Sequence, residues 1–145
     1  MKKIKYRIKY LAVAICFLAA TSVWAQDDET GDLLGFLQGT YRLVGQWPDS
    51  GETYQGVVVM KSQGDRLAIQ RTINGQMVQA VGRIAKATAD EIKVVKVTFS
   101  HRNRDYEATY LIHADLDNYA RLTGYLYQAS GKTVKPGLEA LFIDR

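Results

Sequence analysis

The chain has 145 residues, of which 47% are hydrophobic, and a formal charge of +4 from 19 basic and 15 acidic side chains. This length predicts one domain, long enough to bury a core without disulfides. Five of the basic side chains lie in the first ten residues, which contain no acid. The positive charge therefore does not indicate a nucleic-acid-binding surface.

Residues 1–25 have the order of a secretory signal peptide. The basic segment is followed by an apolar run, 11–20, and then by Val23-Trp24-Ala25, which supplies small side chains at the −3 and −1 positions of a cleavage site. The run is shorter than the roughly 20 residues that a membrane-spanning helix needs, which disfavours an uncleaved anchor. Lipid attachment at Cys16 is disfavoured because Ile15 before it is bulky. The sequence thus predicts export to the periplasm or the exterior, with no stable membrane span in the mature chain.

Cleavage after residue 25 changes the properties of the domain. Taking away the five basic residues leaves 14 against 15 acidic ones, a net charge of −1, and the only cysteine is lost as well. The mature protein must therefore be stabilised by its core rather than by disulfides. Acidic and polar residues 26–31 predict a flexible lead-in, and residues 32–145 predict a single domain.

The domain begins with a short apolar segment, 32–37, which predicts one turn of helix capped by Thr30 or Asp32. This turn would either plug one end of a barrel or cover a sheet edge. The rest of the chain alternates apolar or β-branched runs with turn residues, which is typical of strands. The predicted strands are, in order, about 39–46, 53–62, 66–73, 76–85, 91–99, 106–113, 119–128 and 138–143.

The connections between these runs are short. Asn74-Gly75 is the strongest hairpin signal, because both central residues of a type I′ turn need positive φ. Residues 101–105 predict a charged turn, and residues 85–90 a short linker with some helical tendency. Gly56 is expected to mark a bend or a bulge, and Gly82 a bend.

Eight antiparallel strands in an open sheet would leave two costly edges. Closure into an up-and-down barrel removes them, and a barrel of this size has room for its own side chains or one small ligand. The predicted fold class is therefore all-β: an eight-stranded antiparallel up-and-down barrel with a short N-terminal helical turn. The alternative is a two-sheet sandwich.

The run Leu37-Gln38-Gly39-Thr40-Tyr41-Arg42-Leu43-Val44-Gly45 resembles the opening of lipocalin-like domains. Those begin with a helical piece and a Gly-x-Trp strand start, and Tyr41 stands here in place of the Trp. The resemblance implies a calycin-type binding barrel in which the first-strand aromatic closes the floor and stacks with an Arg from a late strand. Arg121 is the candidate for that Arg; the alternative is that Arg121 faces solvent.

Aromatic residues are the main functional hint, since seven of the nine tyrosines lie outside the predicted signal peptide. Tyrosine combines an apolar body with a polar tip, which suits a pocket wall. The candidates to line a cavity are Tyr41, Tyr54, Tyr106, Tyr110 and Tyr125, with Trp47 near one mouth. Tyrosine is equally a good strand residue on the outside. If the leucine face of strand seven points inward, Tyr119, Tyr125 and Tyr127 form an outer stripe available to a protein partner.

Arg71 alternates in phase with Leu67, Ile69 and Ile73, on an apolar face where an unpaired charge is costly. It either anchors an acidic ligand group, pairs internally with Glu139 or Glu107, or reaches water at the strand end. The predicted ligand-binding residues are thus Tyr41, Trp47, Tyr54, Arg71, Tyr110, Arg121 and Tyr125.

No catalytic constellation is visible in the sequence. There is no Ser-His-Asp arrangement, nucleophile elbow or phosphate loop. The mature chain has only two histidines and no cysteine, which disfavours a zinc site. Asp115, Asp117 and Asn118 indicate an ordinary turn rather than a calcium site. We therefore expect a non-enzymatic exported protein without a cofactor or metal. It would hold a small or amphipathic ligand; the alternative is a protein-interaction module, such as an enzyme inhibitor or an envelope-assembly factor, that uses its outer face or loops.

Overall fold

The computed structural model describes residues 28–114, 117 and 119–144. The predicted signal peptide and most of the predicted turn at 115–118 lie outside these residues. The described chain forms one helix, α1, followed by eight strands, β1 to β8. Their bounds are α1 Asp28–Phe36, β1 Gly39–Gln46, β2 Thr53–Gln63, β3 Arg66–Ile73, β4 Gln76–Ala87, β5 Ile92–His101, β6 Arg104–Ala114, β7 Ala120–Gln128 and β8 Gly137–Ile143.

The eight strands form a closed antiparallel barrel in which each strand pairs with the next along the chain. β1 also pairs with β8, where Val44 lies opposite Ala140. This seam confirms the predicted up-and-down barrel and excludes the sandwich, since no barrel strand is left with an unpaired edge. We call the end with the β1–β2, β3–β4, β5–β6 and β7–β8 connections the mouth, and the opposite end the floor.

The strand bounds agree with the predicted ones to within two residues, but the connections differ in two places. The predicted charged turn at 101–105 is wrong in extent, because His101 and Arg104 still pair as the last rung of β5 and β6. Only Arg102 and Asn103 form the turn, with φ of 48° and 60°, as a two-residue hairpin requires. β4 also continues to Ala87 through part of the predicted linker.

The bulge considered at Gly56 is absent. Gly56 pairs with Leu43 within the β1–β2 ladder and with Ile73 at the end of the β2–β3 ladder, and neither ladder contains an extra residue. A Cβ atom at this position would lie 2.1 Å from the carbonyl oxygen of Thr72. Gly56 is therefore needed for close approach of two strands, not for a change of register.

Helix α1 closes the floor and is longer than predicted. It has nine residues instead of one turn and includes residues 28–31, which the sequence predicted to be flexible. Leu34 joins the core at this end, and the hydroxyl of Tyr41 donates a 2.8 Å hydrogen bond to the carbonyl of Leu37 just after the helix. The acidic Glu29 in the first turn also suits the helix dipole, so burial and electrostatics extend the helix. No helix in the described part of the chain has the length and hydropathy to cross a membrane.

Candidate functional site

The barrel interior is filled by its own side chains. Those pointing inward from the middle of the strands, such as Leu43, Ile69 and Leu126, expose 2% or less of their surface to a water-sized probe. A void large enough for water beside them would leave part of their surface exposed, so the packing leaves no room for a ligand at this depth. The interior ligand expected from the strand count is therefore not supported. A ligand must instead bind at an end or on the outer wall.

Four polar side chains form a buried cluster in the half of the barrel nearest the mouth. Glu139 on β8 accepts hydrogen bonds from the hydroxyls of Tyr54 and Tyr110 and forms an ion pair with Arg71. Arg71 also donates a 3.1 Å hydrogen bond from Nη1 to the hydroxyl of Tyr110, and its Cζ lies 4.0 Å from the ring centre of Phe99. We refer to Arg71, Glu139, Tyr54 and Tyr110 as the buried polar cluster.

The cluster is electrostatically self-contained apart from one atom. Burial alone would lower the pKa of Arg71, but the interactions with Glu139, Tyr110 and Tyr54 together raise it. Burial, followed by the Glu139 carboxylate, raises the pKa values of Tyr54 and Tyr110, so both hydroxyls stay protonated and donate. Arg71 Nε has no hydrogen-bond partner among the described residues. The charges are thus satisfied by each other, and none is accessible for chemistry with a bound molecule.

The local sequence explains why these side chains meet. Arg71 shares its inward phase with Leu67 and Ile69, and Glu139 shares its phase with Leu141. Gly45 pairs with Tyr54 on one side and Glu139 on the other. A Cβ atom at Gly45 would lie 2.4 Å from Cζ of Tyr54, so the missing side chain gives that ring its place against the carboxylate.

Trp47 covers the cluster at the mouth. Its ring stacks on Tyr54 with 4.2 Å between centroids and on His101 with 5.0 Å and an interplanar angle of 10°. Tyr106 packs at 5.1 Å with a tilt of 43°. Because Tyr54 donates to Glu139, this stack connects the mouth directly to the buried polar cluster.

A cavity of about 240 Å³ opens beside this stack, and we call it the mouth cavity. Its lining residues are Trp47, Pro48, Ser50, Glu52, His101, Arg102, Arg104 and Tyr106. Burial and the positive charges of Arg102 and Arg71 lower the pKa of His101, so its ring is neutral near pH 7. Two arginines then face one carboxylate, which gives the cavity a net positive wall.

The loop between β7 and β8 is fixed beside this mouth by Asp49. The carboxylate of Asp49 accepts hydrogen bonds from the backbone N–H groups of Val134 and Lys135 at 2.9 and 2.8 Å, and from the side chain of Gln128 at 2.9 Å. These backbone donors hold the pKa of Asp49 below its usual range. One side chain therefore holds together two of the connections at the mouth.

A second recess, which we call the outer groove, lies on the outer wall over β5 to β8. It has a volume of about 590 Å³ and is lined mainly by Ala87, Val94, Thr109, Leu111, Thr123, Tyr125, Tyr127 and Leu138. Tyr125 and Leu138, directly opposite each other on β7 and β8, expose 53% and 50% of their surface. Large apolar side chains are therefore exposed on this part of the wall.

The structure separates the predicted site residues into three groups. Tyr54, Arg71 and Tyr110 meet in the buried polar cluster, Trp47 lies above them, and Tyr41 is buried at the opposite end near the floor. The cavity-lining position considered for Tyr125 is wrong: Leu122 and Leu126 face inward, and the pleat therefore turns Tyr125 outward. Arg121 is likewise exposed, so it does not stack with Tyr41, and the solvent-facing alternative holds. Tyr119 and Tyr127 are exposed as the outer-stripe alternative predicted.

Of the residues that line the mouth cavity, only Trp47 was in the predicted ligand-binding set, and the buried Glu139 and His101 were also outside that set. Glu139 was considered only as one of two partners for Arg71, although its alternation with Leu141 places it on the apolar face. His101 was assigned to a turn, although it is in phase with Phe99 and Val97 on β5. Within the described residues, no group of three or more His, Cys, Asp and Glu side chains could hold a metal ion.

Comparison with known proteins finds similarity at the level of fold. No protein-family model matches the chain, and no curated protein matches it. Among solved structures, the redesigned β-barrel b11L5F_LGL aligns with a TM-score of 0.53 at 15% identity, covering 77% of this chain and 95% of that one. The redesigned β-barrel mFAP1, solved bound to DFHBI, aligns with a TM-score of 0.48 at 20% identity, covering 74% and 95%. The first similarity shows a shared fold alone, and the second is too low to support an argument.

Proposed function

We propose that this protein is an exported, non-enzymatic, lipocalin-like barrel that binds a small ligand at its mouth, beside Trp47. The observation that carries the proposal is the mouth cavity itself, a recess with an aromatic wall and two arginines that have no ion pair with a described residue. The filled interior supports a site at this end rather than at the barrel centre. The buried polar cluster then serves as a rigid base for the aromatic stack.

Native mass spectrometry of protein from an exporting host tests the binding function. We expect a retained small molecule on the folded wild-type protein and its loss in Trp47→Ala, which removes one wall of the cavity. The matched control is Tyr119→Ala, since this aromatic lies near the floor and is also partly exposed. Spectra without a retained molecule, or retention that is the same in Trp47→Ala, would contradict the proposed site.

The export part of the proposal rests on the N-terminal sequence. Cleavage after Ala25 would produce a chain that starts at Gln26. The intact mass and N-terminal sequence of protein recovered from the periplasm or medium test this. Recovery of uncleaved chain from the cytoplasm alone would contradict export and leave the mouth cavity unaffected.

A second candidate function is a protein-interaction module that uses the outer wall. The outer groove favours it, because contiguous exposed apolar surface is uncommon on a monomeric protein unless it has a partner. Chemical cross-linking in the exporting host should then yield a defined partner with the wild-type chain and none with Tyr125→Ser/Leu138→Ser. Identical cross-linked species from both chains would contradict this function.

A further inference from the structure

The size of the mouth cavity limits what it can hold. Its volume of about 240 Å³ is below the roughly 300–1,000 Å³ of pockets for drug-sized ligands. It corresponds to about eight water molecules at about 30 Å³ each. A ligand with one ring and one small substituent fits this volume, whereas a long acyl chain or a fused multi-ring molecule does not.

The charge of the lining determines which sign of ligand charge the cavity favours. Arg102 and Arg104 border the cavity, and neither forms an ion pair with a described residue, while Glu52 is the single carboxylate of the lining. The guanidinium group presents a planar fork of donors that matches a carboxylate. His101 adds no charge near neutral pH, because its burial and the charges of Arg102 and Arg71 lower the pKa of its ring. The cavity therefore favours an anion and repels a cation.

The aromatic rings of the wall favour a planar ligand. Trp47 and His101 lie nearly parallel, with 10° between their planes, and Tyr106 packs against Trp47. A flat aromatic molecule can contact this wall in an offset-stacked or edge-to-face arrangement, and aromatic pairs of this kind are stabilised beyond the effect of the area they bury. A planar ring gains more from this wall than a saturated ring of the same size.

We infer that the mouth cavity binds a small aromatic carboxylate, with its ring against Trp47 and its carboxylate at Arg102 and Arg104. This inference rests on the proposed function and names the ligand class of that same site. Arg102 lies in the two-residue turn between β5 and β6, and Arg104 opens β6, so the anion-binding groups belong to a short, well-defined hairpin. Glu52 opposes the ligand's charge from the β1–β2 loop and weakens the interaction.

Fluorescence of Trp47 tests the inference with a panel of simple probes. The full chain carries Trp24→Phe, so that Trp47 is the single tryptophan whether or not the N-terminus is cleaved. The panel is benzoate, benzamide, benzylamine, cyclohexanecarboxylate and acetate, each titrated through the millimolar range. We expect a saturable change in Trp47 fluorescence with benzoate. The dissociation constants of the other four probes should be larger by about tenfold or more. The affinity for benzoate should also fall as ionic strength rises.

Three variants and one control test which charged side chains affect the affinity for benzoate. Arg102→Asn, which suits the positive φ at this position, and Arg104→Gln should each weaken benzoate about fivefold. Glu52→Gln should strengthen it about twofold to threefold. The control is Arg66→Gln, an exposed arginine at the start of β3 near the floor, which should leave the affinity unchanged. Far-ultraviolet circular dichroism of each free variant establishes that the barrel is folded.

The outcomes separate the inference from the proposed function. If benzamide or benzylamine binds as tightly as benzoate, or if neither arginine variant weakens benzoate, the inference is overturned while a mouth site remains. If no probe changes Trp47 fluorescence, both the inference and the proposed mouth site are overturned. Saturable binding of benzoate with the expected order of variants supports both.

Discussion

Glu139 stabilises the half of the barrel nearest the mouth. It is the acceptor for two tyrosine hydroxyls and the counter-charge of Arg71. Glu139→Gln leaves the arginine buried without its partner, and removing one member of a buried pair typically costs about 3–5 kcal/mol. We therefore expect the free energy of unfolding, measured in urea, to fall by that amount.

The double variant Arg71→Met/Glu139→Gln provides the comparison for this prediction. It removes both charges and leaves an amide whose oxygen accepts a hydrogen bond from one tyrosine hydroxyl and whose NH2 group donates to the other. It should be more stable than Glu139→Gln alone, because an apolar side chain in place of a buried charge is often tolerated. A double variant less stable than Glu139→Gln alone would contradict the assignment of an uncompensated charge.

His101 makes the stability of the protein depend on pH. Burial, Arg102 and Arg71 lower its pKa in the folded state below the ordinary value of 6.5. Between the lowered pKa and 6.5 the unfolded state therefore binds more protons, so the free energy of unfolding rises with pH and falls as the pH drops through this window. The slope is at most about 1.4 kcal/mol per pH unit for one proton.

Urea unfolding at several values between about pH 5.5 and pH 7.5 measures this slope, in a range above most carboxylate titrations. His101→Gln should flatten it even though loss of the ring stack lowers stability throughout. His113→Gln is the matched control, since His113 is exposed on β6. An unchanged slope in His101→Gln would contradict the assigned environment of this ring.

At the scale of the elements, two backbone N–H groups of the loop between β7 and β8 share a single acceptor. Asp49 receives two backbone hydrogen bonds from this loop and has φ of 63°, a conformation that Asn tolerates as well as Asp. Asp49→Asn keeps the backbone conformation but removes the charge that strengthens these bonds. We expect the amides of Val134 and Lys135 to exchange with deuterium about tenfold faster, because local opening becomes easier.

The matched control for the loop is Asp65→Asn in the β2–β3 turn, at the opposite end of the barrel. It should leave exchange at residues 134 and 135 unchanged. Amides in the middle of β8 should be protected equally in all three chains, because the strand ladders do not depend on Asp49. Unchanged exchange of the loop in Asp49→Asn would show that the loop is held by other contacts.

The strands were predictable because alternation is a local property of the chain, whereas the site depends on how distant strands face each other. Glu107 was a predicted partner for Arg71, yet it alternates with inward-facing Tyr106 and Ala108, and it pairs instead with Lys96 at 3.5 Å on the outside. The choice of Glu139 follows only from closure of the barrel. Strand β7 had two plausible inner faces, and only packing of Leu122 and Leu126 against the other strands decides between them.

At the scale of the whole molecule, the strands close into a barrel and large side chains fill its interior. The barrel has no free strand edge, and its interior positions are occupied by large side chains such as Arg71, Tyr41 and Tyr110. Whether an eight-stranded barrel is hollow depends on side-chain volumes across its width, which periodicity does not report. Binding is therefore expected where packing ends, at the mouth and on the outer wall.

The seam between β1 and β8 is the contact that makes this molecule a barrel, and a disulfide tests it directly. Val44 and Ala140 lie opposite each other across the seam, and both side chains point outward. Cysteines at directly opposed positions have a Cα separation suited to a disulfide. In Val44→Cys/Ala140→Cys the bond would close a loop of nearly the whole barrel, which constrains the unfolded chain by about 4.7 kcal/mol for a loop of about 100 residues.

The matched control is Val44→Cys/Gln55→Cys, which joins opposed positions within the β1–β2 hairpin. Its short loop should stabilise by about 3 kcal/mol or less. We expect both bonds to form in the oxidised protein, with a larger increase in Tm for the seam variant and loss of both increases on reduction. A hairpin disulfide that forms while the seam cysteines remain reduced would contradict closure, because β1 and β8 would then not be neighbours. It would also remove the packing evidence that supports the proposed binding site at the mouth.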